Sequence, residues 1–214
     1  MLVKDVMKSN PVTVQVTASV PEVNDILIKN KISKVPVVDK NGALVGLITK
    51  GDLVKSTPSD ATTLDMFELS YLLSKLSVEK VMVKNVKTVG ENETVEEAAR
   101  LMADYGIGCL PVVKNGLLVG FVTESDVFSA FVDMFGTRHA GVRATFVMND
   151  KPGALNVFTQ ALAAVNGNIV SLVTADVEEQ DSRKVTIRVT GVTKEQVEEL
   201  VSKCAGILED IRNV

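Results

Sequence analysis

Two short stretches carry the same polar residues at the same spacing, "GLITKGD" at 46–52 and "GFVTESD" at 120–126. Each follows an apolar, β-branched run, so Gly, Thr and Asp fall where a strand would turn into a helix. At a helix N-terminus the unpaired backbone N–H groups and the positive dipole can hold a phosphate, and the hydroxyls of Thr49 and Thr123 add a donor each. Asp52 and Asp126, one turn further on, are ionised acceptors suited to the two hydroxyls of a ribose. Gly46 and Gly120 let a flat base approach the strand backbone. A purely structural account uses the same residues. Thr followed three residues later by Asp is a capping box, with Thr accepting from the first helical turn and Asp reaching back.

The elements that position these residues are themselves written twice. Residues 6–39 align with 81–114 at an offset of 75, pairing Thr13-Val14 with Thr88-Val89, Ile32 with Ile107, and "PVV" at 36–38 with "PVV" at 111–113. One residue is then lost, as "DKNG" becomes "KNG", and "GALVGLIT" aligns with "GLLVGFVT". Two copies suit a pseudo-symmetric pair packed face to face. Each copy reads as strand, helix, strand, strand, helix. Val95, Ala98, Ala99 and Met102 fall at helical spacing behind Thr94 and Glu97, and Ser19 with Glu22 offers the same start in the first copy. Asn-Gly within an apolar β-branched run predicts a hairpin in each.

Between the copies, "TLDMFELSYLLSKLSVEK" predicts a helix with a broad apolar face at Leu64, Phe67, Leu69, Leu72, Leu73 and Leu76, to be buried on the repeats or on a second subunit. From about Arg138 the pattern becomes βαββαβ, the split ferredoxin-like order, with Thr193 and Gln196 capping the last helix. The expected fold class is therefore α+β. The expected divisions are a first repeat at 1–56, a linker at 57–79, a second repeat at 80–136 and a ferredoxin-like domain at 137–214.

Composition narrows the function. The 214-residue chain carries a net charge of −4, with neither an arginine-rich patch nor a long apolar run, which argues against nucleic-acid and membrane partners. "MLVKDVMKSNP" lacks the apolar core of a signal peptide. Cys109 and Cys204 have no metal-ligand spacing, so a reduced, cytoplasmic protein without a metal site is expected. His139 has no nucleophile partner, Glu96-Glu97 and Glu198-Glu199 fall on polar helix faces, and no P-loop or Gly-x-Gly-x-x-Gly is present. Binding chemistry is written here without catalytic residues.

The paired "GLITKGD" and "GFVTESD", behind "KVPVV" and "CLPVV", resemble the signature of CBS domains, and the two copies together resemble a CBS pair, or Bateman module. The resemblance implies an adenosine nucleotide or related adenosyl ligand in the cleft between copies. Asp52 and Asp126 would hold ribose, Thr49 and Thr123 the phosphate side. The adenine would lie near Thr13, Val14, Ile32 and Val35 with Pro36, or near Thr88, Val89, Ile107 and Leu110 with Pro111. Lys34 and Lys50 place two cations in the first copy where the second has Cys109 and Glu124, so the first copy is expected to take the phosphorylated ligand.

The C-terminal stretch is similar to an ACT domain, with "NDKPGAL" and "NGNIV" at the positions that in that family line an amino-acid effector pocket at a dimer interface. Carried over, these are Asp150, Gly153, Leu155, Asn168 and Ile169. The order CBS, CBS, ACT resembles the bacterial acetoin-utilisation protein family. The implied function is regulatory sensing by a homodimer that acts on a protein partner the sequence does not name. An amino-acid sensor with purely structural CBS sites is the alternative.

Overall fold

A computed structural model of the chain describes residues 1–56, 68, 71, 74–178 and 181–214. The linker's apolar positions Leu64, Phe67, Leu69, Leu72 and Leu73 fall outside the described residues. The chain divides into two compact units, Met1–Val127 and Phe128–Val214.

In the N-terminal unit each repeat has the expected order. The first contains β2 (Val14–Gln15), α2 (Val20–Lys29), β3 (Lys34–Val38), β4 (Leu44–Thr49) and α3 (Lys50–Ser56), preceded by α1 (Val3–Val6) and β1 (Lys8–Ser9). The second contains β5 (Val89–Gly90), α4 (Val95–Tyr105), β6 (Cys109–Lys114), β7 (Leu117–Thr123) and α5 (Glu124–Met134). The central strand of each pairs parallel with the short first strand and antiparallel with the third. The apolar stripe of α4 is buried at Val95, Ala98 and Met102. Ser19 and Thr94 cap their helices by accepting from the N–H groups of Glu22 and Glu97. The reciprocal half is not made at Thr94, because the Glu97 carboxylate instead takes two hydrogen bonds from Arg100.

The single-residue difference between the hairpins has a local cause. Asn115 and Gly116 both have positive φ (50° and 82°), as a two-residue turn matched to strand twist requires. The first copy is one residue longer, and the Asp39 carboxylate accepts from the N–H groups of Asn41 (2.8 Å) and Ala43 (2.9 Å) to close the wider loop.

The repeats also exchange their leading segments. β1 pairs antiparallel with β7 of the second repeat, Lys8 opposite Phe121 and Ser9 opposite Gly120. Reciprocally, Val83 and Leu47 exchange two backbone hydrogen bonds of 2.9 Å. Val3 donates to Glu93 O and Val78 donates to Ala18 O. Val78 is fully buried in the first repeat's core with Val23, Leu27, Val35 and Ile48. This exchange corrects the reading of the strand glycines. A Cβ on Gly46 would collide with Met82 Sδ, and one on Gly120 with Met7 Sδ, so the glycines make room for a methionine from the other repeat's leading segment.

The C-terminal unit follows βαββαβ: β8 (Val142–Asn149), α6 (Ala154–Ala164), β9 (Asn168–Asp176), β10 (Ser182–Thr190), α7 (Lys194–Lys203) and β11 (Ile207–Asn213). The sheet is antiparallel in the order β11-β8-β10-β9. One face packs Ala144, Phe146, Val185 and Ile187 against Phe158, Leu162, Val197 and Val201 of the helices. Thr193 and Gln196 form the complete reciprocal cap. Gly153, with φ of 91°, caps α6, and the left-handed residue after that helix is Asn166.

Candidate ligand cavity between the repeats

Both Thr-x-x-Asp segments form capping boxes of the same geometry. Asp52 Oδ2 accepts from the Thr49 N–H (2.9 Å) and hydroxyl (2.7 Å), and the Asp52 N–H returns a bond to Thr49 Oγ1 (3.2 Å). Asp126 Oδ2 accepts from the Thr123 N–H (2.9 Å) and hydroxyl (2.6 Å), with a return bond of 3.4 Å. The structural account of the motif is thus realised in both copies. The second carboxylate oxygen, Oδ1 of each Asp, makes no hydrogen bond among the described residues.

A cavity of about 580 Å³ opens where the repeats meet. Its first wall is Ile32, Lys34 and Pro36 of the first repeat, and its second is Thr123, Glu124 and Ser125 at the start of α5. The exchanged segment supplies the third, from Lys8 to Val12. Of the residues singled out from sequence, Ile32, Lys34, Pro36 and Thr123 come together here. Val14, Val35, Val89 and Leu110 are core residues, between 0% and 4% exposed. Thr13, Thr49, Lys50, Asp52, Thr88, Ile107, Pro111 and Asp126 do not line this cavity, although Asp126 is bonded to Thr123, which does. Lys8 and Lys31 line it without having been expected to, and Glu124, expected beside a phosphate in the second copy, lines it with Lys34 of the first. Nothing in the spacing of residues 8–12 announces that they cross to the other repeat.

The cations do not segregate by repeat. Lys34 Nζ and the Glu124 carboxylate both crowd Gly108, so the first repeat's lysine faces the second repeat's glutamate. Lys50, which the repeat relationship matches with Glu124, does not line this cavity, so the two cations expected together do not both reach it. Lys8, Lys31 and Lys34 against Glu124 still leave the cavity cationic. Cys109 is 4% exposed, and burial pushes its thiol up, with the Lys34 cation pulling the other way.

In the C-terminal unit, Asp150, Gly153 and Leu155 line a cleft of about 250 Å³ with Arg183. Arg183 pairs with Asp150 at 3.0 Å, and that hydrogen bond raises the guanidinium further above its ordinary value. Asn168 and Ile169 stand at the opposite end of the sheet. Asn168 pairs with Thr190 whereas Asn149, just before Asp150, pairs with Ser182, and Ile169 packs on the core. Among the described residues no cluster of three or more His, Cys, Asp or Glu side chains could hold a metal ion, and no helix is long and apolar enough to cross a membrane.

The CBS domain profile matches residues 3–58 and 78–133, more than half of the chain. The chain belongs to the CBS-domain family. Behind this CBS pair, residues 140–212 match the TTHA0829-like ACT domain. Among curated relatives, the CBS pair is 35% identical over 131 residues to the L-aspartate semialdehyde sulfurtransferase of Methanocaldococcus jannaschii, matching 61% of this chain and 23% of that one. The chain thus spans about a quarter of that relative.

Solved structures of similar fold include a putative acetoin utilization protein from Vibrio cholerae (28% identical, TM-score 0.54, 64% of this chain and 95% of that one). The CBS domain pair of protein MJ0100, in complex with 5′-methylthioadenosine and S-adenosyl-L-methionine, is 34% identical with a TM-score of 0.51 over 65% of this chain and 98% of that one. CBSX2 in complex with AMP is 31% identical with a TM-score of 0.51 over 61% and 96%. CBS pairs similar to this one therefore bind adenosine ligands.

Proposed function

We propose that the chain is a non-catalytic regulatory sensor that binds an adenosine nucleotide, or a related adenosyl ligand, between its CBS repeats. The observation that carries this reading is the 580 Å³ cavity, where Lys31, Lys34 and the adenine-side residues Ile32 and Pro36 of the first repeat face the start of α5 in the second, with Lys8 of the exchanged segment beside them. Ile32 and Pro36 supply apolar contact for a base, Lys34 and Lys31 supply cations for phosphate, and Asp126 keeps Oδ1 for ribose hydroxyls. Adenosyl ligands in the similar CBS pairs support the ligand class. The relation between the two repeats, spanned by exchanged segments, is the element that a ligand would bias, by no more than its differential affinity for two arrangements.

The protein is read as a cytoplasmic homodimer. Exposed apolar side chains at Val54, Phe128 and Ile207 support self-association. A link to acetoin utilisation rests on the Vibrio cholerae likeness.

A second reading is an amino-acid sensor acting through the ACT domain, with the Thr-x-x-Asp segments serving only as helix caps. The complete capping boxes and the cleft around Asp150 and Arg183 favour it. Thermal shift with AMP, ADP, ATP, S-adenosylmethionine and amino acids separates the two, because a ligand that binds only the native state raises the midpoint by mass action. A shift with an adenosine ligand that is lost in Lys34→Ala supports the CBS reading. A shift with an amino acid alone overturns it.

A further inference from the structure

The ACT sheet buries one face under α6 and α7 and turns the other away from them. Strand alternation sends Ala144, Phe146, Val185 and Ile187 to the helices, which sends Arg143, Thr145, Thr186 and Arg188 to the opposite face. The register lines these up across the sheet. Arg212 lies opposite Arg143, Arg143 opposite Arg188, and Arg188 opposite Ser171. Three guanidinium groups and a hydroxyl therefore stand in one row on four adjacent strands.

The segment 135–139 crosses this face. Ser171 Oγ donates to Phe135 O (2.9 Å) and Arg188 Nη1 donates to His139 O (2.7 Å). Between segment and sheet lies a cavity of about 290 Å³, lined by Phe135, Thr137, Arg143, Ser171, Val173 and Arg188 among others. It lies on the other face of the sheet from α6, and so apart from the cleft at Asp150.

The charges in this row do not balance. Asp210 accepts from both Arg143 (2.8 Å) and Arg212, so one carboxylate serves two cations. Arg188 is 8% exposed and has no carboxylate partner among the described residues. Its one hydrogen bond there goes to a backbone carbonyl. No fully buried side-chain nitrogen or oxygen among the described residues lacks a partner, so the rest of the Arg188 guanidinium keeps some accessible surface, and Arg188 lines the cavity. A cation withdrawn from water without a counter-charge is unfavourable, and an anion in contact with it offsets that cost.

We propose that this cavity is an anion site for a small organic carboxylate. The planar fork of Arg188, with Arg143 beside it, suits a carboxylate. The Thr137 and Ser171 hydroxyls donate to Val132 O (3.1 Å) and Phe135 O (2.9 Å) and so remain acceptors for a hydroxyl on the ligand, and Phe135 with Val173 line the cavity for a short apolar body.

The test is an amide chemical-shift titration of the full chain with L-lactate, malonate and inorganic phosphate, against sodium chloride at matched ionic strength. A carboxylate gives saturable shifts concentrated at 135–139, 171–173 and 186–188. Arg188→Gln weakens it about tenfold or more, the scale of a hydrogen bond to a charged group. Arg143→Gln, at a half-buried position that leaves the His139 contact in place, weakens it several-fold and serves as the readout if the first variant does not fold. Shifts that do not saturate, that chloride reproduces, or that Arg143→Gln leaves at wild-type affinity overturn the site. Phosphate binding more tightly than either carboxylate overturns the ligand class.

Discussion

Lys34 of the first repeat and Glu124 of the second converge on one point above Gly108. A Cβ built there would lie 3.0 Å from Lys34 Nζ and 2.9 Å from Glu124 Oε2. The carboxylate partly cancels the lysine that a phosphate would use. Glu124→Gln is expected to strengthen ATP binding about three- to tenfold while leaving adenosine nearly unchanged, the scale of one partly screened charge. Isothermal titration of both ligands checks this, and an equal gain for adenosine would sink it.

Asp52 and Asp126 make the same cap, but only Asp126 is bonded to a residue of the described cavity. Replacing either with Ala is expected to lower stability by about 1 kcal/mol, the usual worth of a cap. AMP affinity should fall sharply in Asp126→Ala and little in Asp52→Ala. Equal affinities in the two variants would contradict the cavity assignment.

Gly46 and Gly120 each face a methionine from the other repeat's leading segment. Gly46→Ala is expected to cost about 1–2 kcal/mol by overpacking, softened because Met82 can change rotamer. In a double-mutant cycle Met82→Ala should recover part of that loss. Additive costs, read from urea midpoints, would mean that the glycine answers to something other than Met82.

These residues also mark how far the sequence could be read. The two β-α-β-β-α repeats, the Asn-Gly hairpins, the caps at Ser19, Thr94 and Thr193 and the βαββαβ order all rest on contacts within a few residues, and local pattern reports such contacts directly. Residues 8–12 and Val83 carry no periodicity, because strands of one or two residues have none, so their crossing to the other repeat was not legible. The cavity depends on that crossing, which is why Lys34 was grouped with Lys50 in sequence and stands with Glu124 in space. Arg188 looked like an ordinary strand arginine, since only the register with Arg143 and Arg212 reveals the cationic row.

Two carboxylates should leave a signature in acid. The Ala43 and Asn41 N–H groups hold the Asp39 carboxyl below its ordinary value of 3.8, and hydrogen bonds from Arg212 do the same for Asp210. A folded pKa below the unfolded one contributes stability at higher pH that disappears as pH falls through the folded value. The urea midpoint should therefore hold steady down to about pH 5 and decline below about pH 4. Asp39→Asn should flatten part of that decline, and an unchanged profile would show that the turn carries no such linkage.

The exchanged segments also impose an order in time. Lys8 pairs with Phe121, 113 residues later, so at roughly 5–20 residues per second its partner strand is synthesised about 6–23 s after it. During that interval β1 has no sheet to join, and Gly120 has not yet been made to receive Met7. The first repeat must wait in the same way for Val78 and Val83 before its own core and edge are complete. The first repeat is therefore unfinished when its own sequence ends, and the binding cavity can form only once the second copy has left the ribosome.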